Sequence, residues 1–246
     1  MPAPVNSILP SELPHRASSN APARERGTVG TGARRDPEAT RQRILAAATR
    51  EFSREGYGGA RGMHIARLAG CSERMVYYYF GSKRGLFRAV LEAVYLKLRE
   101  FEYSLALDHL APPAALRSFC LDVWRWYSEH PEFIGLLGIE NQQEARHLRE
   151  SERLGELVSP VVGLLATLVD RGVRAGEFRA GIDPVQLYLT IAALGYFQLS
   201  NRHTLSAVLG EDLDSPARLL AHWEASADVV LRYVAAARPA GGKEPG

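Results

Sequence analysis

The apolar residues of this chain recur at helical spacing, and Gly, Pro and small capping residues punctuate them. Asp36-Pro37 puts a side-chain acceptor at an N-cap and a proline at the first helical position. Ile44, Leu45, Ala48 and Phe52 then share one face of a helix that Gly56 ends, with Gly58-Gly59 as the loop. A short second helix carries Met63, Ile65, Ala66 and Leu68 and stops at Gly70. Ser72 caps a third, Glu73 to Phe80, and Gly81-Ser82 breaks the chain again. A longer fourth helix aligns Leu86, Phe87, Val90, Leu91, Val94 and Leu98.

The pattern continues to the end. Pro112-Pro113 opens a segment with Phe119, Val123, Trp124 and Tyr127, and His130-Pro131 closes it and opens the next, with Phe133, Leu136, Leu137 and Ile139. A helix near 157–175 holds the run Val161 to Val169, with Pro160 fitting its first turn. Gly176 to Gly181 reads as a turn, and Asp183-Pro184 and Ser215-Pro216 repeat the cap-plus-proline start. No alternating strand pattern of useful length interrupts this. The expected fold class is all-α. Residues 36–82 read as an amino-terminal three-helix helix-turn-helix domain. Residues 83–238 read as a larger helical domain for ligand binding and dimerisation, entered through the fourth helix. Residues 1–35, with five prolines and no apolar period, read as a disordered basic tail, and 239–246 as a second tail.

Charge sharpens this division. The net charge is +2, but residues 1–90 carry 15 Lys and Arg against 7 Asp and Glu, and the rest carry 15 against 21. A basic front and an acidic back orient the front toward a polyanion. Two cysteines, Cys71 and Cys120, make no disulfide framework. No basic cluster followed by an apolar run marks a signal peptide, and the expected location is the cytoplasm. The uncharged stretch between Asp183 and Arg202 spans 18 residues but includes Pro184, Gln186, Thr190, Gln198, Ser200 and Asn201, so it reads as a buried helix rather than a membrane span.

The segment Met63 to Phe80 has the helix-turn-helix outline, in which the second helix enters the major groove and the first braces it. Ile65, Leu68 and Val76 are the expected seam, with Ala66 small enough for close approach. The second helix then presents Glu73, Arg74, Met75, Tyr77, Tyr78 and Tyr79. Tyrosine hydroxyls bond phosphate, and an arginine forks onto guanine. Three adjacent tyrosines cannot all face outward, so Phe80 and one of Tyr77 and Tyr79 are assigned partly to packing. Lys83 opens the fourth helix, where its ammonium and free main-chain N–H groups can share a phosphate.

The series Arg43 to Ala48, Phe52, Gly56-Tyr57, Ile65-Ala66, Ala69-Gly70-Cys71-Ser72, Tyr77 to Phe80, Gly81-Ser82-Lys83 and Leu86 resembles the DNA-binding domain of the TetR/AcrR family of bacterial one-component regulators. The resemblance covers about residues 37–90. It implies an all-α homodimer whose carboxy-terminal domain binds a small molecule. It also implies DNA contacts at Glu73, Arg74, Met75, Tyr77, Tyr78 and Lys83; Arg61, though it departs from the family, can still reach a phosphate. The chain departs from the family where a threonine pair often opens the second helix: Ala60 and Arg61 stand there. Arg74-Met75 stands where a Gly-Thr pair is common, so the operator sequence does not carry over. His130 to Phe133, Glu140-Asn141 and Ser200 to Thr204 resemble one branch of the family, that of regulators of pyrimidine and nicotinate catabolism, and specify no effector.

In the back half, Pro184 to Asn201 is apolar almost all round, and Leu220, Trp223, Ala227, Val230 and Val234 form a near-heptad seam. With the family resemblance, Leu194, Phe197, Leu220, Trp223 and Val230 are the expected dimer contacts; the alternative is an intramolecular core helix. Expected effector contacts combine apolar walls with placed polar groups: Trp124, Tyr127, Phe133, Glu140, Asn141, Tyr188 and Gln198, with Phe197 and His203 as further candidates and Glu140-Asn141 foremost. The seven histidines form no HxxxH pair, and no CxxC, phosphate loop or GxSxG is present, so no metal, cofactor or enzymatic reaction is expected. The expected function is a ligand-responsive, sequence-specific repressor on a palindromic double-stranded operator. An activator fits the same residues. The reading from another class is an all-α small-molecule-binding protein or enzyme whose helix-turn-helix is only structural.

Overall fold

In the computed structural model, residues 36–152 and 160–236 are described. The expected tails at 1–35 and 239–246 lie outside those residues. Among the described residues there are ten helices: α1 Pro37–Gly59, α2 Gly62–Ala69, α3 Glu73–Phe80, α4 Lys83–Ser104, α5 Pro112–Glu129, α6 Pro131–Gln142, α7 Arg146–Arg149, α8 Pro160–Arg174, α9 Pro184–Leu209 and α10 Pro216–Val234. The all-α expectation holds; the β-pairing described is a single antiparallel bridge, Phe178 to Ala235.

The helix starts follow local chemistry. The Asp36 carboxylate accepts from the N–H groups of Glu38 and Ala39, Asp183 from Val185, Ser72 from Met75 and Ser82 from Gly85. Gly56 breaks α1 with φ of +71°, as its sequence position predicts, and one further turn runs to Gly59. Gly70 is left-handed, at φ +65°, and the Cys71 N–H returns to the Ala66 carbonyl at 3.0 Å. That closes α2 and turns the chain into α3.

α1 is the hub of the amino-terminal part, packing against α2, α4 and α6, while α3 lies on α2 and α4. Ile44, Ala48, Phe52, Ile65, Val76, Leu86 and Phe87 are its buried centre. Leu68 is not in the α2–α3 seam: it is 51% exposed, and Ala69 is buried instead. A leucine between two closely approaching helices would hold them apart; an alanine does not. In the carboxy-terminal part α5 is central, touching α6, α8, α9 and α10. Gly195 of α9 lies against the Trp124 indole, where an added Cβ would sit 1.9 Å from Cδ1, and Trp124 Nε1 donates to the Ile191 carbonyl at 2.9 Å. The close approach requires glycine at that position.

Two expectations about the last helices change. α9 runs to Leu209 and is not buried all round, since Val185, Leu189 and Phe197 are exposed. The seam on α10 packs inward: Trp223, Ala227, Val230 and Val234 are buried within the chain, and α10 lies on α5. Trp223 and Val230 therefore have no surface left for a partner. The 3-4 spacing marks a helix face seeking an apolar surface, and α5 of the same chain supplies it.

Candidate nucleic-acid interface and effector pocket

α3 is held so that one narrow face looks outward. Val76 is fully buried. The Tyr77 hydroxyl and the Glu73 carboxylate lie against the start of α2, 2.5 and 2.6 Å from where a Cβ on Gly62 would stand. Tyr79 is half-buried and meets Tyr78 edge to face at 5.3 Å, and Arg41 lies over Phe80. What remains is Arg74, exposed, and Tyr78, 80% exposed, one helical turn apart, with half-buried Met75 beside them. An exposed arginine and a phenol on a short braced helix are suited to base edges and phosphate respectively.

α2 is braced in turn. The buried Glu51 carboxylate of α1 accepts from the Arg61 N–H at 3.2 Å and pairs with His64 Nδ1 at 2.6 Å. Sequence reading missed Glu51; its signal is an acidic residue at the edge of an apolar stripe. Arg43 donates to the Ala69 carbonyl at 3.3 Å, tying α1 to the other end of α2. The Arg61 side chain is exposed. Lys83 Nζ donates to the Gly58 carbonyl at 3.3 Å and lies 5.3 Å from the Tyr57 ring centre.

The expected effector residues separate into two groups. Tyr127, Phe133 and Tyr188 come together. Tyr127 and Phe133 stack at 5.6 Å, Tyr95 meets Phe133 at 5.7 Å, and Phe101 stacks on Trp126 at 5.9 Å. Inside this aromatic group α4 places an ion pair, Arg99 with Glu102, which are 9% and 4% exposed. Arg99 Nε finds no acceptor among the described residues. Burial pushes the Tyr95 phenol up to about 12 and raises Tyr127 and Tyr188 as well, with the Glu102 charge adding to the last two, so all three stay protonated donors. Sequence reading missed Tyr95, Arg99 and Glu102. Glu102 continues the stripe Leu91, Tyr95, Leu98 at spacing 4, 3, 4, and a charge on an apolar stripe was the available signal.

The second group is occupied elsewhere. Trp124 is committed to α9. Gln198 donates to the Leu213 carbonyl at 3.3 Å. Asn141 is exposed at the end of α6, His203 and Phe197 are exposed on α9, and Leu194 is half-buried. Glu140 is buried and accepts from the N–H groups of His147 and Leu148 at 2.7 and 2.9 Å and meets His147 Nδ1 at 2.9 Å. His147 in turn packs on Tyr57 and Phe87, at 5.1 and 4.9 Å, so Glu140 anchors the α6–α7 corner against the amino-terminal part.

A braced two-helix reader joined to an all-α bundle with a polar aromatic interior defines a helix-turn-helix DNA-binding regulator. Comparison with known proteins gives the family. Residues 44–90 match "Bacterial regulatory proteins, tetR family", and residues 112–230 match "Tetracyclin repressor-like, C-terminal domain". The chain is 44% identical over 187 residues to the HTH-type transcriptional repressor NicS of Pseudomonas putida, covering 76% of this chain and 88% of that protein. It is 31% identical over 192 residues to the HTH-type transcriptional regulator RutR of Escherichia coli K12, covering 76% and 87%. A TetR transcriptional regulator from Chloroflexus aurantiacus shares the fold with a TM-score of 0.63 at 27% identity, covering 82% of this chain and 98% of that one. The chain belongs to the TetR family of bacterial transcriptional regulators.

Proposed function

We propose that this protein is a homodimeric repressor that binds a palindromic operator and is released by a small molecule held in its carboxy-terminal bundle. The observation that carries this reading is the outward face of α3, where Arg74 and Tyr78 stand free on a helix braced from two sides. Arg74 reads a base; Tyr78, Lys83 and Arg61 meet phosphate; Glu73, Met75 and Tyr77 shape the helix around them. A dimer supplies two such helices at the spacing of the duplex repeat. Its contact surface is the exposed row Val185, Leu189 and Phe197 on α9 with Leu220 and Val229 on α10. Leu194 borders that row.

The effector acts by favouring a dimer whose two α3 helices are wrongly spaced, which needs a coupling of only about 1–3 kcal/mol. The protein acts in the cytoplasm, without catalysis. Among the described residues no helix is long and apolar enough to cross a membrane, and no group of His, Cys, Asp and Glu is placed to hold a metal. The test is selection of sheared genomic DNA from the source organism at two salt concentrations. Enrichment of one palindrome that persists at the higher salt is the expected result. Salt-sensitive retention with no enriched site overturns the reading.

A further inference from the structure

A cleft of about 490 Å³ opens where the DNA-reading half meets the bundle, between α1, α2, the start of α6 and α9. That volume is in the range of small-molecule sites. Its arginines come from two elements, Arg50 and Arg54 from α1 and Arg202 from α9. Arg50 and Arg54 are exposed, one turn apart on the same helix, and neither has an acceptor among the described residues. Like charges at that spacing repel, so an anion between them removes a cost that the empty arrangement carries. Arg202 spends Nε on Asp214 at 3.3 Å and one Nη on the Leu199 carbonyl at 3.0 Å. Its other Nη has no acceptor among the described residues. Two carboxylates also line the cleft. Glu51 is committed to His64 and the Arg61 N–H. Glu132 stands in the first turn of α6, where the helix dipole favours its charge, and it opposes an incoming anion. The walls are held in place: α6 lies so near α1 that a Cβ on Gly135 would stand 3.1 Å from the Ser53 carbonyl oxygen. Pro131 and Leu68, the leucine left outside the α2–α3 seam, supply the apolar surface.

We infer that this cleft is a second binding site and that it takes a diphosphate group. A guanidinium fork matches phosphate oxygens, and such charge-assisted bonds are about twice as strong as neutral ones. Arginines one turn apart have Cβ atoms about 5–6 Å from each other, a spacing that suits two linked phosphates, one to each fork. Arg202 closes on the pair from α9. The remaining volume, with Leu68 and Pro131 beside it, takes an organic body of nucleoside size. None of Tyr95, Tyr127, Phe133 and Tyr188 lines the cleft, so it is separate from the aromatic interior of the bundle. Because its arginines belong to α1 and α9, an occupant ties the DNA-reading half to the bundle.

The test uses the full chain in metal-free buffer at about 0.15 M salt, where exposed charges are screened beyond about 8 Å. Pyrophosphate, ADP, sulfate and adenosine are titrated calorimetrically. A diphosphate is expected to bind at least about ten-fold tighter than sulfate, and adenosine not to bind. ADP binding tighter than pyrophosphate makes the occupant a nucleoside diphosphate; the reverse order makes it the free anion. The double substitution Arg50→Gln with Arg54→Gln should lose at least about thirty-fold in affinity. Its melting temperature without ligand should hold or rise, because a repulsion has gone. Glu132→Gln should tighten binding about three-fold. The inference is overturned if sulfate binds as well as both diphosphates, if the double variant keeps its affinity, or if Glu132→Gln weakens binding. A double variant that melts lower without ligand overturns it too, since the arginines would then be paired within the chain. So does a salt slope on a random-sequence duplex that falls by about two in the double variant, which would assign both arginines to the DNA backbone.

Discussion

Replacing Glu140 by leucine separates an anchoring role from a ligand-binding one. The carboxylate accepts three hydrogen bonds, from the His147 and Leu148 N–H groups and from the His147 ring, at 2.7 to 2.9 Å. The corner between α6 and α7 turns through left-handed Glu144 and Ala145, with φ of +55° and +57°, so strained backbone is already held in place there. Leucine fills the volume but accepts nothing. Each polar group stranded by the change costs about 1–3 kcal/mol, and added apolar burial returns part, leaving a net loss of about 3 kcal/mol. For a chain of this size each kcal/mol moves the melting temperature by about 2–4 °C, so Glu140→Leu should melt about 6–12 °C lower. Glu140→Gln keeps one acceptor oxygen and should fall less than half as far. The assay is a circular-dichroism melt at fixed protein concentration, because self-association couples to stability. An unchanged melting temperature together with a lost effector response would refute the anchoring argument and return Glu140 to the pocket.

Other outcomes follow from the same geometry. Gly195→Ala gains about 1 kcal/mol of helix propensity but drives a methyl into the Trp124 indole, at the upper end of the usual overpacking cost of about 3 kcal/mol, so urea unfolding should show a net loss of about 2 kcal/mol; an unshifted midpoint would mean that α5 and α9 do not meet this closely. Arg74→Ala should cost about 1–3 kcal/mol at the selected site and relax one base position, whereas Lys83→Ala should weaken all sequences alike and lower the salt slope by about one; equal effects on every sequence from Arg74→Ala would remove it from base reading. Phe197→Asp places a charge in the exposed α9 row and should yield monomers by sedimentation; an intact dimer would put the contact on another face.

What was legible in the sequence was local. Asp36-Pro37, Ser72, Gly70 and Asp183-Pro184 each fix an end by chemistry that involves neighbours a few residues away, and each is found in place. The stripe from Leu86 to Leu98 is buried as its spacing requires. What stayed hidden depends on which surface meets which. The α10 seam has the same spacing whether α5 or a second chain covers it. Leu68 and Ala69 are neighbours on one helix, and only the α2–α3 distance decides which goes inside. Glu140 and Arg99 are both buried polar residues on helices; the first is satisfied by its own corner, and the second keeps a free donor beside phenols from two other helices.

The placement of Lys83 has a consequence in entropy. A free lysine on a surface carries about 2 kcal/mol of rotamer entropy, which any partner must freeze. Here the ammonium lies over the Tyr57 ring and rests on the Gly58 carbonyl, so part of that freedom is surrendered when the chain folds. If Lys83 meets a phosphate as proposed, the phosphate would exchange one oxygen for another on an ammonium already in position. The contact is correspondingly cheap to form. It is also easily given up, because the carbonyl is waiting when the phosphate leaves.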